Sequence, residues 1–166
     1  MGYTAAIITV SDKCSIGERV DTSGPALCRL LSEDGWTVSY CATVPDEEQQ
    51  IIAELLKSAE EYHADLILTT GGTGFSPRDI TPEASLKVIQ RRTPGLSEAM
   101  RAESMRITPK GCLSRGESGI YNGSLIINLP GSEKAAKENI LVVLPALKHG
   151  IDMIHSGGSA DCGGQS

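Results

Sequence analysis

Residues 4–10, TAAIITV, form an unbroken apolar run rich in β-branched side chains. A strand with one solvated face would alternate apolar and polar residues, so such a run needs cover on both faces, as in a parallel sheet. Helical periodicity follows each early strand. Pro25 is placed to open a helix running to about Asp34 and ended by Gly35. Residues 36–44 (WTVSYCATV) read as a second strand. Asp46 to Gln49 then fits a capping box, with Asp46 as N-cap and apolar positions at Ile51, Ile52, Leu55, Leu56 and Ala59. Residues 65–70 (DLILTT) form a third strand that runs into Gly71, Gly72, Thr73 and Gly74. Thr81, Pro82 and Glu83 have the order of an N-cap, a first-turn proline and a dipole-complementing acid, predicting a helix to about Arg91. A further helix is expected from Leu96 to Ser104.

The last third differs in kind. Two β-rich runs flank Asn122-Gly123, a strong short-range hairpin signal. Ser132, after Pro130-Gly131, is placed to cap a final pair of helical segments reaching His155. Strands alternating with helices make this an α/β chain with a mostly parallel sheet, to which the hairpin adds an antiparallel edge. Its 166 residues suit one domain, over 1–155, followed by a flexible C-terminal tail at 156–166 with almost nothing to bury.

Charge and cysteine usage narrow the function classes. A net charge of −6 with 4% aromatic residues leaves no basic stripe or stacking platform, which argues against nucleic-acid binding. No apolar run is long enough to cross a membrane, and the first ten residues lack a basic n-region, so the expected compartment is the cytoplasm. The five cysteines (Cys14, Cys28, Cys41, Cys112, Cys162) form no CxxC pair and no metal-ligand spacing with the histidines, and are expected as free thiols.

Open α/β sheets bind ligands beyond the carboxyl ends of their strands. The segments there are rich in Gly, Ser, Thr and Asp: Ser11 and Asp12, Asp46, the 71–74 glycine loop with Asp79, and Pro130, Gly131 and Ser132. If these strands are parallel, the groups converge on one rim. Glycines leaving a buried strand permit positive φ and let amides turn toward phosphate oxygens. The loop is neither a P-loop nor a GxGxxG fingerprint, and alone such a sequence is more often a tight turn than a ligand cradle. Each carboxylate also has a purely structural reading: Asx turn for Asp79, N-cap for Asp46, loop cap for Asp12. Phosphoryl and nucleotidyl transfer need carboxylates for Mg²⁺ beside amides and cations for phosphate, and this is such a set. Lys134, Arg115 and Arg78 are the cationic candidates, and Ser114 is a possible phosphate donor. His149 reads as a packed or capping histidine.

The ordered motifs ITVSD (8–12), VPDE (44–47), TGGTG (70–74), RDITPEA (78–84), SRG (114–116) and NLPGS (128–132) resemble the Mog/MoaB family of molybdenum-cofactor biosynthesis proteins. Their domain also occurs in plant relatives and in gephyrin. The similarity covers roughly residues 4–155. It implies a three-layer α/β/α domain assembled as a homotrimer or hexamer. It also implies a molybdopterin adenylyltransferase that transfers AMP from MgATP to the terminal phosphate of molybdopterin, followed by hand-over to a molybdate-inserting protein. Carried over by motif, Asp46 and Asp79 are the catalytic and metal-binding aspartates. Gly71, Gly72, Thr73 and Gly74 form the nucleotide-side loop. Ser11, Asp12, Ser114, Pro130, Gly131, Ser132 and Lys134 fall at the pterin and phosphate pocket. Many relatives have Ser-Pro-Lys-Ala where this chain has Ser132-Glu133-Lys134-Ala135, and an acid there either weakens phosphate binding or starts the helix well. The alternative reading is a molybdopterin carrier or scaffold with little adenylation activity.

Overall fold

The structure is a computed structural model and describes residues 2–157. Residues 158–166, including Cys162 and most of the expected tail, lie outside the described residues. Six strands form one sheet in the order β2-β1-β3-β6-β5-β4. Strands β1 (Thr4–Val10), β2 (Thr37–Val44), β3 (Leu66–Thr70) and β6 (Ser124–Leu129) run parallel. Strands β5 (Ser118–Tyr121) and β4 (Arg91–Arg92) continue the sheet antiparallel, as the hairpin requires.

Both faces of the central strands are buried, because alternate residues feed two separate cores. Ala5, Ile7, Leu66, Leu68, Leu125 and Ile127 pack against α2 (Ser23–Glu33), α5 (Pro94–Ile107) and α6 (Glu133–His155). Ala6, Ile8, Ile67 and Ile126 pack against α3 (Glu48–Glu60) and α4 (Thr81–Val88). The result is a three-layer α/β/α sandwich in which β3 and β6 are buried throughout and β1 at every position after Thr4. Edge strand β2 instead alternates in exposure, with only Val44 buried. Among the described residues no helix is long and apolar enough to cross a membrane.

Several elements differ from the sequence reading for local reasons. The loop after β1 closes into a one-turn helix, α1 (Asp12–Ser15), whose N-cap Ser11 accepts from the Cys14 N–H. Helix α2 begins two residues before Pro25, at Ser23. Helix α3 is capped at Glu47 rather than Asp46, because the Asp46 side chain is turned toward Asp12 instead. Thr81 is the first residue of α4 and not its N-cap, since its hydroxyl is donated to the Gly71 carbonyl at 2.9 Å. That helix stops at Val88, where Gln90, Arg91 and Arg92 turn to pair with β5. Helix α5 is longer than expected. The expected pair of C-terminal helical segments is one 23-residue helix running through Pro145. Pro145 is exposed, and so is Leu141, whose carbonyl the proline leaves without its helical donor. His149 is exposed on the same helix, neither packed in the core nor at a cap. Asn122 and Gly123 both have positive φ (43° and 87°), the I′ turn expected of the hairpin.

Candidate active site

Because β1, β2, β3 and β6 are parallel, their four following segments do emerge at one rim. Two cavities share it. The larger, about 540 Å³, is lined by Gly72, Thr73, Gly74, Ser114, Pro130 and Gly131 together with apolar residues of α5 and the segment after it. The smaller and more polar, about 360 Å³, is lined by Ser11, Asp46, Gly71, Gly72, Gly131 and Ser132. Gly72, Asp79 and Gly131 belong to both, so the two cavities are lobes of one cleft.

The glycine loop leaves β3 with φ of +107° at Gly71 and +67° at Gly72. A β-carbon at Gly71 would lie 2.2 Å from the Val10 carbonyl oxygen, and one at Gly72 the same distance from the Thr81 hydroxyl. Both the φ values and the packing therefore require glycine here. Arg115 fixes the far side of the loop. Its backbone N–H donates to the Thr73 carbonyl (2.8 Å), and its guanidinium donates to the carbonyls of Gly74 (2.8 Å) and Asp79 (2.9 Å) and pairs with Glu83. Arg115 is thus a clamp on the loop rather than a cation facing the cleft. Thr70 and Ser23 hold the opposite wall, donating to the carbonyls of Pro130 and Gly131 at 2.7 Å each.

The carboxylates divide by environment. Asp12 and Asp46 exchange hydrogen bonds: the Asp12 N–H donates to Asp46 Oδ2 (2.9 Å), and the Asp46 N–H donates to Asp12 Oδ1 (3.0 Å). Arg78 grips Asp12 through Nε and Nη2 at 3.0 and 2.9 Å and also reaches Glu47. That guanidinium holds the Asp12 carboxyl below the usual aspartate range. Burial pushes the Asp46 carboxyl up, and the negative charges of Asp12 and Asp79 add to the rise. Asp79 accepts the Ser76 N–H on Oδ2 at 2.9 Å, closing its own loop. Asp46 and Asp79 both line the smaller lobe, and neither has a donor on Oδ1 among the described residues.

The remaining candidates are placed as follows. Ser132 caps α6 by accepting the Ala135 N–H, so the positive end of a six-turn helix opens at the smaller lobe. Ser114 stands in the larger lobe. Asp12 lines neither lobe and acts behind Asp46. Lys134 lines neither lobe, is largely exposed, and approaches Glu138 at 3.9 Å. Glu133 is the first residue of α6 and also lines neither. The sequence reading passed over Asp21, which lines the smaller lobe while accepting from the Thr9 hydroxyl (2.6 Å) and the Gly24 N–H (3.0 Å). It also passed over Glu138 and Asn139 on the wall of the larger lobe. Asp21 had a signal, an acid beside Thr-Ser-Gly; the other two sit mid-helix with none. The described cysteines are free, with Cys28 and Cys41 3.3 Å apart.

A family described as "Probable molybdopterin binding domain" matches residues 6–149. The chain is 43% identical over 152 residues to a molybdopterin adenylyltransferase of Helicobacter pylori, covering 89% of this chain and 85% of that one. It is 41% identical over 164 residues to gephyrin of Dictyostelium discoideum, covering 93% of this chain and 23% of the longer protein. The crystal structure of the molybdopterin biosynthesis enzyme MoaB from Thermus thermophilus superposes with a TM-score of 0.88 at 44% identity, over 93% and 97% of the two chains. With the six ordered motifs gathered on one rim of a matching fold, the chain belongs to the molybdopterin-binding-domain family of molybdenum-cofactor biosynthesis proteins, the Mog/MoaB group.

Proposed function

We propose that the chain is a molybdopterin adenylyltransferase that transfers AMP from ATP to the terminal phosphate of molybdopterin. The observation that carries this reading is the two-lobed cleft with Gly72 and Asp79 shared by its lobes and Asp46 in the smaller one, in a chain closely related to a molybdopterin adenylyltransferase. In the reaction, a phosphate oxygen of molybdopterin forms a bond to the α-phosphorus of ATP. The bond from that phosphorus to the bridging oxygen breaks, and pyrophosphate leaves with the electron pair. The attacking phosphate already carries its charge, so no protein nucleophile is needed and catalysis is positioning with charge neutralisation. Gly71, Gly72, Thr73 and Gly74 supply backbone amides, Ser11, Ser114 and Ser132 supply hydroxyls, and the N-terminus of α6 supplies a favourable dipole for phosphate.

Mg²⁺ takes hard oxygen donors, keeps several waters, and is held by one or two carboxylates plus substrate phosphates. Oδ1 of Asp46 and of Asp79 fit that pattern. Among the described residues no three His, Cys, Asp or Glu side chains gather to hold an ion by themselves, which suits an ion that arrives with the triphosphate. Bound there, it would neutralise charge building on the phosphates. The same reading carries ATP as co-substrate, assembly as a homotrimer or hexamer, hand-over of product to a molybdate-inserting protein, and a cytoplasmic location. Lys134 remains a proposed phosphate contact through movement of its long side chain. The carrier alternative draws on Glu133 and on the reuse of this domain in larger proteins; Glu133 starts α6 outside both lobes.

Pyrophosphate release from MgATP and molybdopterin tests the assignment. Wild-type turnover should fall by about 100-fold or more in Asp79→Asn and in Asp46→Asn, the scale of losing one preorganised charge-stabilising group. Unchanged rates in both variants would remove these aspartates from the mechanism. Pterin binding with no turnover by the wild type would favour the carrier.

A further inference from the structure

The larger lobe carries a polar pair that neither the family motifs nor the proposed chemistry uses. Asn139 is 5% exposed and lines this lobe from the second turn of α6. Its Nδ2 donates to Ser104 Oγ (3.0 Å) and to the Ala135 carbonyl (2.9 Å), which fixes the orientation of the amide. Oδ1 has no donor among the described residues and is not sealed from solvent. Glu138, the preceding residue, lines the same lobe, and its carboxylate has only the 3.9 Å approach of Lys134. Phe75, Ile107 and Leu113 also line the lobe, all with unusually high exposure for large hydrophobic side chains. The lobe thus combines apolar side chains with two acceptors that have no hydrogen-bond donor among the described residues.

We propose that Glu138 and Asn139 read the 2-amino-4-oxo edge of the pterin, making them specificity-determining residues of the larger lobe. This rests on the adenylyltransferase reading and adds to it the orientation of the pterin. The edge presents a ring N–H beside an exocyclic amino group, two adjacent donors suited to a carboxylate and an amide oxygen. Adenine presents a ring nitrogen lone pair at the equivalent place, which a carboxylate repels. The pair therefore selects pterin over the nucleobase of ATP and directs ATP phosphates to the smaller lobe. Guanine carries the same edge as the pterin, so GMP is a probe that needs no turnover.

Two measurements on the full chain test this. In Glu138→Gln and Glu138→Ala, KM for molybdopterin should rise by about 10- to 100-fold, the range of a lost hydrogen bond to a charged group. KM for ATP should stay within about twofold, which also reports an intact fold. By calorimetry, GMP should bind the wild type and lose affinity in Glu138→Gln by a similar factor. An unchanged KM for molybdopterin, or a rise in KM for ATP instead, would overturn the assignment. Wild-type protein that binds GMP through Glu138 yet shows no turnover would sink the adenylyltransferase reading and leave edge recognition standing. Wild-type protein with neither property would sink both.

Discussion

Asp46 is held from two sides, by a reciprocal pair of hydrogen bonds with Asp12 and by partial burial. Its carboxyl is raised above the ordinary aspartate value, so it must lose its proton at a higher pH than a free aspartate before it can hold a cation. Activity should therefore fall as pH drops through that raised value. The acid limb of kcat/KM, which reports the free enzyme, is where this is read. Asp12→Asn removes a neighbouring negative charge, which favours ionised Asp46. The acid limb should shift to lower pH in that variant; a shift upward, or none, would mean that Asp46 does not control it. For stability the sign at Asp12 is opposite. Its pKa is lowered by Arg78, so its contribution is present above the unfolded aspartate value and lost as pH falls through the folded one. Asp12→Asn should remove that acid-side loss from a series of unfolding curves. Both ends of the Arg78 pair are about half exposed, so the stability change itself should be small.

The element that matters most is the glycine loop with its two restraints, Val10 beneath Gly71 and Arg115 across from Gly74. Gly71→Ala places a methyl group against a backbone carbonyl at positive φ, where neither partner can yield cheaply. It should destabilise by about 2–4 kcal/mol, the range for strained backbone combined with overpacking. Chemical denaturation would check this, and full stability would mean that β1 and β3 can separate there. Arg115→Lys keeps the charge but not the forked geometry that serves two carbonyls and the Glu83 carboxylate. Its expected signature is a fall in kcat of about tenfold or more with a smaller change in KM, since misplaced loop amides act on the transition state. A loss confined to KM would instead make Arg115 a ligand contact. Here sequence reading went only part of the way. The loop and its exit from a strand were visible in the order of residues, whereas the role of Arg115 depends on a contact across 41 positions.

At the scale of the whole molecule, the two cores on either face of the sheet hold the rim in place. Leu68 is fully buried at the middle of β3, directly below the loop strand's exit. Leu68→Ala should cost about 2–5 kcal/mol through lost burial and a residual cavity. For a chain of this size that lowers Tm by several degrees per kcal/mol at most, about 2–4 °C each. A thermal scan with an unshifted Tm would mean that the sheet is not the stabilising unit.

The order of residues alone determined the α/β class, the parallel centre and the antiparallel hairpin. Those features follow from local pattern: apolar, β-branched runs for the central strands, helices at 3.6, and Asn-Gly where two positive φ values are needed. It also marked Asp46, Asp79 and the glycine loop, because strand ends in a parallel sheet share one rim. It misplaced helix starts at Asp46 and Thr81, whose side chains are taken by Asp12 and by the Gly71 carbonyl. Local capping rules see only neighbours in sequence, and these partners come from other loops. Tertiary structure alone decided that Arg115 is a clamp, that Asp12 stands behind Asp46, and that Glu138 and Asn139 face a cavity. Each depends on which side of an element points at which neighbour once two sheet faces are both covered, and no periodicity in the chain encodes that.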